Sequence, residues 1–600
     1  MGCGASSKNY VKKGEDDATL PERTSDKAVR PKNLQDVITE QKEISDVNKG
    51  GVRLAKIIRD AKVEDNYENL KVLGTGMSGA VYRAKNRTTG TQVALKQIKT
   101  TVLSISERGR LYNEVHVALL MDHPNIMKLL EVYETNDSLA LCSEICEGGA
   151  LLDYISMRKH LQEPEASRIA KQMLLAVSYM HSPATPGGQM CHRDLKLENF
   201  MFVTPNYIEP HLKLIDFGLS RICEKGSEMT LFAGSLHYFA PELLDRRYDF
   251  RCDLWALGVT VYIMLFGVPP FTVKSTKITY QRIRAGKYRL HRDISSEARD
   301  FLKRLIHTDP EQRTPAKDMV EHAWITMHAG QVTHTEPAVS PELANALHAY
   351  ATNGVFKRAV LKFVSLNMPA SQLKDLRNTF AAIDVGHDGV VTLQEFTNAL
   401  EKSLQTSAES GLSTLSSDEI KDVFHKLDLN KTETISYSEF LAACLQAKFD
   451  LEEYRLLLRD VFQKFDRDGS GFISAEDLRE VLGDEYNAAR VEDLVAECDR
   501  DKDGKINLNE FLSHLSACVA ADAVNPEKDD GLAGSLDVRA ASEEINGDEN
   551  ADIVQADGEA KAAGEVAEAA HRRWADAFKV VSALVATADA AKSTPCKELS

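Results

Sequence analysis

The apolar and polar positions of the chain follow a different pattern in each of three successive segments. Strand-like alternation and helical spacing take turns from residue 67 to 325, as in a domain with a sheet and helices. A helical stretch at about 340–370 follows, with apolar residues such as Leu347 and Phe363. From 373 to 517 the order helix, acidic loop, helix occurs four times. The pattern predicts an α+β fold followed by an all-α region of two repeat pairs.

The two ends of the chain lack such a pattern. Apart from an apolar patch near Ile57 and Ile58, the start is polar and charged, so we interpret it as a flexible lead with at most a short helix. The end is rich in Ala, Asp, Glu and Gly, which predicts disorder. Within it, 570–588 has the spacing of a calmodulin-type target helix, although a marginal helix in a disordered tail is the favoured interpretation. The predicted segments are 1–64, 67–325, 335–371, 373–517 and 518–600.

Composition narrows the possible functions. The chain has 600 residues, too many for one core, and its net charge of −17 argues against a general nucleic-acid binder. Its ten scattered cysteines fit reduced intracellular thiols, and no apolar run approaches the ~18 residues of a membrane span. The opening MGCGASSK fits myristoylation of Gly2, with Cys3 as a palmitoyl acceptor. We therefore expect a cytoplasmic monomer held peripherally on a membrane by two acyl chains.

A glycine-rich segment and a following lysine indicate a phosphate site. The segment GTGMSGAV (74–81) allows backbone amides to approach phosphate oxygens where a Cβ would clash. Such glycines also suit a dinucleotide fold, but here the strand-forming VALK (93–96) follows instead of a helix. Lys96 is expected to hold the α- and β-phosphates and to pair with Glu114.

Two further motifs complete the chemistry of phosphoryl transfer. In HRDLKLEN, Asp194 is expected to orient the attacking hydroxyl and accept its proton, and Lys196 to steady the transferring phosphate. Asn199 of the same motif and Asp216 of DFG are expected to hold magnesium.

The four acidic loops have the twelve-residue pattern of EF-hand calcium sites. The fourth loop complies fully, whereas the third ends in aspartate instead of glutamate, which weakens calcium binding and favours magnesium. The first loop has Gly386 at position 3 and the second has Glu433 at position 6, so both remain open between calcium binding and a metal-free structural EF-hand. The expected calcium ligands are Asp384, Asp388 and Glu395 in the first loop; Asp428, Asn430, Thr432 and Glu439 in the second; Asp466, Asp468, Ser470, Phe472 and Asp477 in the third; and Asp499, Asp501, Asp503, Lys505 and Glu510 in the fourth.

With these motifs in order, 67–325 resembles a two-lobed eukaryotic protein kinase of the serine/threonine type, and the whole chain resembles the calcium-dependent protein kinases of plants and apicomplexan-type protists. The resemblance implies a calcium-activated kinase that uses ATP, Mg²⁺ and Ca²⁺. It also implies a calmodulin-like domain and a junction helix that inhibits the kinase until calcium loads. The basic, amphipathic segment 355–366 suits that role. The implied ATP contacts are Leu73, Gly74, Thr75, Gly76, Met77, Ser78, Gly79, Ala80, Val81, Lys96, Glu114, Glu144 and Cys146.

The resemblance also bears on substrates and on the activation segment. Ala150 stands where relatives carry an acid, while Glu198 keeps a second one, so we expect protein substrates with a weakened basic preference. Glu242 is expected to pair with Arg313. Thr230 is a possible phosphosite that would pair with Arg193, which precedes the catalytic aspartate, unless Glu228 in the same segment replaces the phosphate.

Two alternatives to an active kinase would each explain part of the sequence. A membrane-anchored, calcium-responsive pseudokinase scaffold would explain the domains, but such proteins usually lose one of the residues that are intact here as Lys96, Asp194, Asn199 and Asp216. A plain calcium buffer would leave the kinase motifs unexplained. The sequence therefore favours catalysis.

Overall fold

The structure is a computed structural model. It describes residues 56–59, 61–76, 79–223, 228–231, 233–328, 339–368, 370, 372–407, 416–448, 455–482 and 488–521. Gly2, Cys3, Met77, Ser78 and the tail segment 570–588 lie outside the described residues.

The N-terminal lobe is built on a six-stranded sheet with the strand order β1-β5-β6-β4-β3-β2. Helix α2 begins at a capping box in which Ser104 and Glu107 satisfy each other's backbone N–H groups, and its buried face packs on β5 and β6. The elements of this lobe are β1 Lys56–Arg59, α1 Val63–Asn66, β2 Tyr67–Gly76, β3 Gly79–Asn86, β4 Gln92–Lys99, a 3₁₀ turn Thr100–Val102, α2 Ile105–Leu120, β5 Leu129–Glu134 and β6 Ser138–Ser143.

Strand β1 corrects the expectation of a flexible lead as far as residue 64. It pairs in parallel with β5, so the lead contributes an edge strand to the kinase sheet. Ile57 packs on the α2 side of the sheet and Ile58 on the opposite side, beside Tyr67 and Tyr133. Two apolar residues in a polar segment show too little periodicity to predict a strand, and only the edge of β5 provides its hydrogen bonds.

The C-terminal lobe is mainly helical. Its central helix, α6, is buried along its whole length, and α4 packs against it. The elements are α3 Leu151–Arg158, α4 Glu163–His181, β7 Met190–Cys191, a 3₁₀ turn Leu197–Asn199, β8 Phe200–Phe202, β9 Leu212–Leu214, β10 Arg221–Ile222, a 3₁₀ turn Leu236–Tyr238, α5 Pro241–Leu244, α6 Cys252–Phe266, α7 Thr276–Ala285, α8 Ser296–Leu305, a 3₁₀ turn Pro310–Gln312, α9 Ala316–Val320 and α10 Ala323–Thr326.

The expected junction helix is two helices, α11 Pro341–Thr352 and α12 Val355–Asn367. The chain breaks at Asn353 and Gly354, which have extended ψ angles of 150° and 156°. Helix α12 is not amphipathic in its surroundings, because Lys357 and Lys362 are buried together with its apolar residues. The EF-hand helices α16 and α17 pack against it, so both its polar and its apolar faces are enclosed.

The EF-hand region has two pairs of helix–loop–helix units, as the four repeats predict. A short two-stranded sheet joins the loops of each pair, β11 with β12 and β13 with β14. The elements are α13 Lys374–Ile383, β11 Val390–Thr392, α14 Leu393–Ser407, α15 Ser417–Leu427, β12 Thr434–Ser436, α16 Tyr437–Lys448, α17 Arg455–Phe465, β13 Phe472–Ile473, α18 Ala475–Leu482, α19 Ala488–Cys498, β14 Ile506–Asn507 and α20 Leu508–Ala521. Across the described part of the chain, no helix combines the length and apolar character needed to cross a bilayer.

The EF-hand region docks directly on the kinase lobes. The backbone N–H of Ser438 donates to Asp122 Oδ2 at 3.0 Å, and Lys464 Nζ lies 3.4 Å from Glu131 Oε1 in β5. In the first loop, a Cβ added at Gly389 would lie 2.4 Å from the ring of Tyr179. Calcium loops and kinase core are therefore in contact.

Candidate active site and calcium-binding loops

The glycine-rich segment forms the tip of the hairpin between β2 and β3, where Gly76 pairs with Gly79. Gly79 has a φ of +143°, and a Cβ there would lie 2.2 Å from Gln97 O. Glycine is therefore required at this position by both backbone conformation and space. A Cβ at Gly74 would meet no atom within 4 Å, which leaves open space beside β2 for a ligand.

The predicted ion pair of the nucleotide site is formed. Lys96 Nζ in β4 donates to Glu114 Oε1 in α2 at 2.8 Å. Lys96 lies directly opposite Val81 of the hairpin, so its ammonium group is held next to the glycine-rich turn. The pair positions one cation where the phosphates of a nucleotide would lie.

The catalytic loop gathers its polar groups around Asp194. Lys196 Nζ donates to Asp194 Oδ2, and Ser235 Oγ donates to Asp194 Oδ1 at 2.9 Å. Asn199 Nδ2 donates to the carbonyl oxygen of Asp194 at 2.9 Å. The carboxylate thus already accepts a hydrogen bond from one hydroxyl, the interaction that a substrate hydroxyl requires.

Buried Asp253 in α6 fixes the backbone of this loop. Its carboxylate accepts the N–H groups of His192 at 2.7 Å and Arg193 at 2.9 Å, and it contacts His181 Nε2 at 3.0 Å. Burial alone would raise the pKa of Asp253, but the hydrogen bonds outweigh it and the pKa lies below its ordinary value. The negative charge therefore persists in the core and holds Arg193 at a φ of 67°.

The DFG segment places its aspartate at the cleft. Asp216 is exposed, has a φ of 66°, and accepts the N–H of Gly218 at 3.1 Å. Phe217 is buried against the His192 ring, with centroids 5.5 Å apart. Packing of the phenylalanine inward directs the neighbouring carboxylate outward, where it could hold a metal ion together with Asn199.

The hinge residues differ in what they can offer to ATP. Glu144 Oε1 accepts from Lys213 Nζ at 2.6 Å and from the Lys128 N–H at 2.7 Å. The Glu144 N–H donates to Lys128 O at 3.1 Å, so the carbonyl is the backbone group that Glu144 can offer to a nucleotide. Cys146 is half-buried, and burial raises its thiol pKa to about 12. Leu73 on β2 is 46% exposed, as expected for a side chain that a nucleotide would cover.

In the activation segment, the expected ion pair of Glu242 is formed, whereas Glu228 does not take the place of a phosphate. Arg313 binds Glu242 through two hydrogen bonds of 2.5 and 2.8 Å, which confirms the predicted pair. Glu228 binds Arg247 at 2.9 Å, so it does not replace a phosphate opposite Arg193.

The third and fourth EF-hand loops have converging ligands. Carboxylate oxygens of Asp466, Asp468 and Asp477 lie within 4.8 Å of one another, as do those of the fourth-loop triad. That triad is Asp499, Asp501 and Asp503. Asp477 reaches the loop despite its short side chain, and its Oδ1 accepts the Arg467 N–H at 2.9 Å. Hard oxygen donors at this spacing fit calcium.

In the first loop, where position 3 has no side-chain ligand, hydrogen bonds within the loop hold its two ends together. Glu395 Oε1 accepts the N–H of Gly386 at 2.7 Å, and Asp384 accepts the N–H of Gly389 at 2.9 Å. Burial, followed by the charge of Asp388, raises the pKa of Asp384 to about 7. In the second loop, Glu439 Oε1 lies 3.0 Å from Lys362 Nζ, a contact that no local pattern predicts.

Comparison with known proteins agrees with both regions. The family model described as "Protein kinase domain" matches residues 67–325, and that described as "EF-hand domain pair" matches 373–445 and 456–516. "Calcium-dependent protein kinase 4" of Plasmodium falciparum (isolate 3D7) is 32% identical over 481 residues, 78% of this chain and 90% of that protein. "Calcium-dependent protein kinase 19" of Arabidopsis thaliana is 31% identical over 465 residues, 76% of this chain and 81% of that protein.

This chain belongs to the calcium-dependent protein kinase family. It is a calcium-activated serine/threonine protein kinase with an ATP site in the kinase domain and calcium sites in EF-hands. The pseudokinase alternative is not supported, because the calcium-dependent protein kinases are its relatives and the catalytic groups converge.

Sequence reasoning about this calcium-dependent protein kinase missed the contacts between distant segments. The bridge between Glu131 and Lys464 has no signal in the sequence. The segment DLWALGV (253–259) resembles the buried Asp-x-Trp-x-x-Gly motif of the large kinase lobe, but the motif alone does not predict that Asp253 anchors the catalytic loop. The sequence predicts Lys362 on the basic face of an amphipathic helix, whereas the structure buries it. A charged residue within an apolar helical stretch was the one available signal for such a buried pair.

Proposed function

We propose that calcium activates this kinase by drawing helix α12 into the EF-hand region, and that Mg²⁺-ATP is the phosphate donor. The observation that carries the proposal is the enclosure of α12. The Phe363 ring lies 4.9 Å from Phe465, and Phe356 lies 6.0 Å from Phe465 and 5.9 Å from Phe511. An apolar helix held in this way is the bound form that an opened EF-hand groove captures.

The transfer step is assigned to the groups around Asp194. A serine or threonine hydroxyl of the substrate takes the place of Ser235 Oγ at the carboxylate, which orients it and accepts its proton. Lys196, hydrogen-bonded to the same carboxylate, stabilises the charge on the transferring phosphate. Lys96 binds the phosphates that remain on the nucleotide.

Magnesium is assigned to the oxygens of Asn199 and Asp216. Asn199 donates its amide N–H to the Asp194 carbonyl, which leaves the amide oxygen as a ligand, and Asp216 is exposed at the cleft. When bound, the ion neutralises phosphate charge and so favours transfer.

The substrates are proteins, and we assign them a weak basic preference. Glu198 is exposed beside the catalytic loop and can attract a basic residue near the acceptor. Ala150, at the start of α3, contributes no charge. A positional peptide library should therefore show one favoured basic position, and equal rates for neutral and basic peptides would contradict this assignment.

The location proposed is the cytoplasmic face of a membrane, with the kinase as a monomer. The support is the MGCGASSK sequence, in which Gly2 and Cys3 are the acceptors. Gly2→Ala should abolish fatty-acid labelling and release the protein from membranes, while Cys3→Ser should weaken retention only. Membrane retention of Gly2→Ala would contradict the proposal.

The test of the switch is peptide phosphorylation by the full-length protein across a calcium titration with magnesium-ATP. Activity should rise steeply with calcium. Glu510→Gln, which removes the bidentate ligand of the fourth loop, should move the midpoint to higher calcium or abolish the rise. Glu492→Gln, a matched change in the same EF-hand on an exposed side chain outside the loop, should have no effect.

The outcomes separate the parts of the proposal. High activity without calcium would show that the junction does not inhibit the kinase. An equal effect of the two substitutions would contradict the assignment of the fourth loop as a sensor.

A further inference from the structure

The second EF-hand loop faces a buried lysine. Lys362 of α12 has a side chain that is 2% exposed, and its Nζ lies 3.0 Å from Oε1 of Glu439, whose side chain is fully buried. Glu439 is position 12 of that loop, the residue that supplies two oxygens to calcium in an EF-hand. The ammonium group of Lys362 thus already contacts the main calcium ligand of the second loop.

The remaining groups around Glu439 support this geometry. Oε1 also accepts the Asn430 N–H at 3.3 Å, and Oε2 accepts the N–H and hydroxyl of Ser436 at 2.9 and 2.8 Å. Lys362 has a favourable electrostatic interaction with Asp428, position 1 of the loop. The ammonium group therefore lies close to the two acidic ligands that the second loop possesses.

The other three loops differ in this respect. In the described part of the chain, the carboxylates at their position 12 accept hydrogen bonds from backbone N–H groups and hydroxyls of their own loops, and no lysine or arginine side chain forms an ion pair with them. These carboxylates are Glu395, Asp477 and Glu510. The lysine is a feature of the second loop.

The second loop is also the least suited to calcium. Positions 3 and 5 are the uncharged Asn430 and Thr432, which hydrogen-bond to each other at 2.7 Å. Glu433 occupies position 6 with a φ of 60°, where glycine is usual. With Lys362 present, the ligands of the second loop carry less negative charge than those of the fourth loop, which has acids at positions 1, 3, 5 and 12.

We propose that the second EF-hand loop binds the ammonium group of Lys362 in place of calcium. This ion pair holds the junction helix on the first EF-hand pair without calcium, so calcium at the other loops controls its capture by the second pair, where Phe356 and Phe363 contact Phe465. The inference rests on the calcium-sensing function proposed above and replaces the calcium ligands Asp428, Asn430, Thr432 and Glu439 expected from the sequence.

The test is the number of calcium ions bound per full-length chain, measured by equilibrium dialysis with ⁴⁵Ca. Glu439→Gln should leave this number unchanged, whereas Lys362→Met should raise it by one, because the freed buried carboxylate then requires a cation. Adding Glu439→Gln to Lys362→Met should remove the gain. Lys426→Met, an exposed lysine paired with Asp422, removes the same charge and should have no effect.

Each result decides the proposal. A loss of one ion in Glu439→Gln would overturn it, as would an unchanged number in a folded Lys362→Met protein. If either variant fails to fold, Asp428→Asn tests the same loop conservatively, and a loss of one ion there would also overturn it. Failure of Glu510→Gln to lower the number would instead contradict the calcium-sensing function itself.

Discussion

The bridge between Lys464 and Glu131 is predicted to hold the EF-hand region on the kinase. Lys464 Nζ lies 3.4 Å from Glu131 Oε1 and 3.0 Å from Asp460 Oδ2, and all three side chains are at most 10% exposed. Tyr67 and Tyr133 donate hydroxyl hydrogen bonds to the other Glu131 oxygen at 3.1 and 3.0 Å. The pair therefore joins β5 of the kinase to α17 within a largely dry contact.

The magnitude follows from the distance and the burial. Two unit charges 3.4 Å apart attract by about 5 kcal/mol at an effective dielectric constant of ~20. Removing one partner of a buried pair costs ~3–5 kcal/mol, since the other charge remains desolvated. Lys464 keeps Asp460 in the Glu131→Gln variant, so we expect the lower value, about 3 kcal/mol.

Hydrogen–deuterium exchange in calcium is the assay, with peptides from β5 and α17 followed in the full-length protein. A loss of about 3 kcal/mol in docking corresponds to roughly 100-fold faster opening. Burial would lower the pKa of Lys464, but Glu131 and Asp460 outweigh it and raise the pKa, so the ammonium stays charged at neutral pH. The stabilisation from this ion pair is therefore fully present below the ordinary lysine pKa of about 10.4. It is lost as the pH rises through the higher pKa that Lys464 has in the folded protein.

The control is a second lysine–glutamate pair between the same two regions. Lys374 and Glu209 are hydrogen-bonded, but their side chains are 48% and 61% exposed. Water screens such a pair, so Glu209→Gln should leave exchange unchanged. If Glu131→Gln and Glu209→Gln gave equal effects, or if Glu131→Gln changed exchange less than about threefold, the reasoning from burial would be refuted.

Three further predictions concern the kinase domain. Asp194→Asn should lower peptide phosphorylation by at least about 10²-fold while leaving calcium binding unchanged, and retained activity would contradict the proton-accepting role. Gly79→Ala should destabilise the hairpin by about 2 kcal/mol and raise KM for ATP, because its Cβ meets Gln97 O at 2.2 Å. Gly109→Ala, on the exposed side of α2 with no atom within 4 Å of the added Cβ, is the matched control and should leave KM unchanged. Burial lowers the pKa of His116 to about 4. Its neutral form stabilises the fold above pH 6.5, and about 2 kcal/mol is lost between pH 7.5 and 5. In urea unfolding, the free energy of unfolding of His116→Gln should fall less between about pH 7.5 and 5 than that of the unsubstituted protein. The same pH dependence in both proteins would contradict the role assigned to His116.

The sequence alone determined the chemistry of both regions, because the groups concerned lie within short motifs. Asp194, Lys196 and Asn199 come from one six-residue stretch, and in the structure Lys196 and Asn199 both donate hydrogen bonds to Asp194. The ligands of the fourth calcium loop lie within twelve residues. In such motifs local backbone geometry fixes which side chains meet, so spacing carries the information.

Tertiary structure alone decided the contacts between segments. Lys362 reaches Glu439 across 77 positions, and β1 becomes a strand only because β5 offers it an edge. Neither contact has a periodic signal, since each depends on how separately formed helices and sheets pack. The sequence predicted a kinase and a calcium sensor, whereas the packing of α12 and the burial of single charged side chains decided how the two are joined.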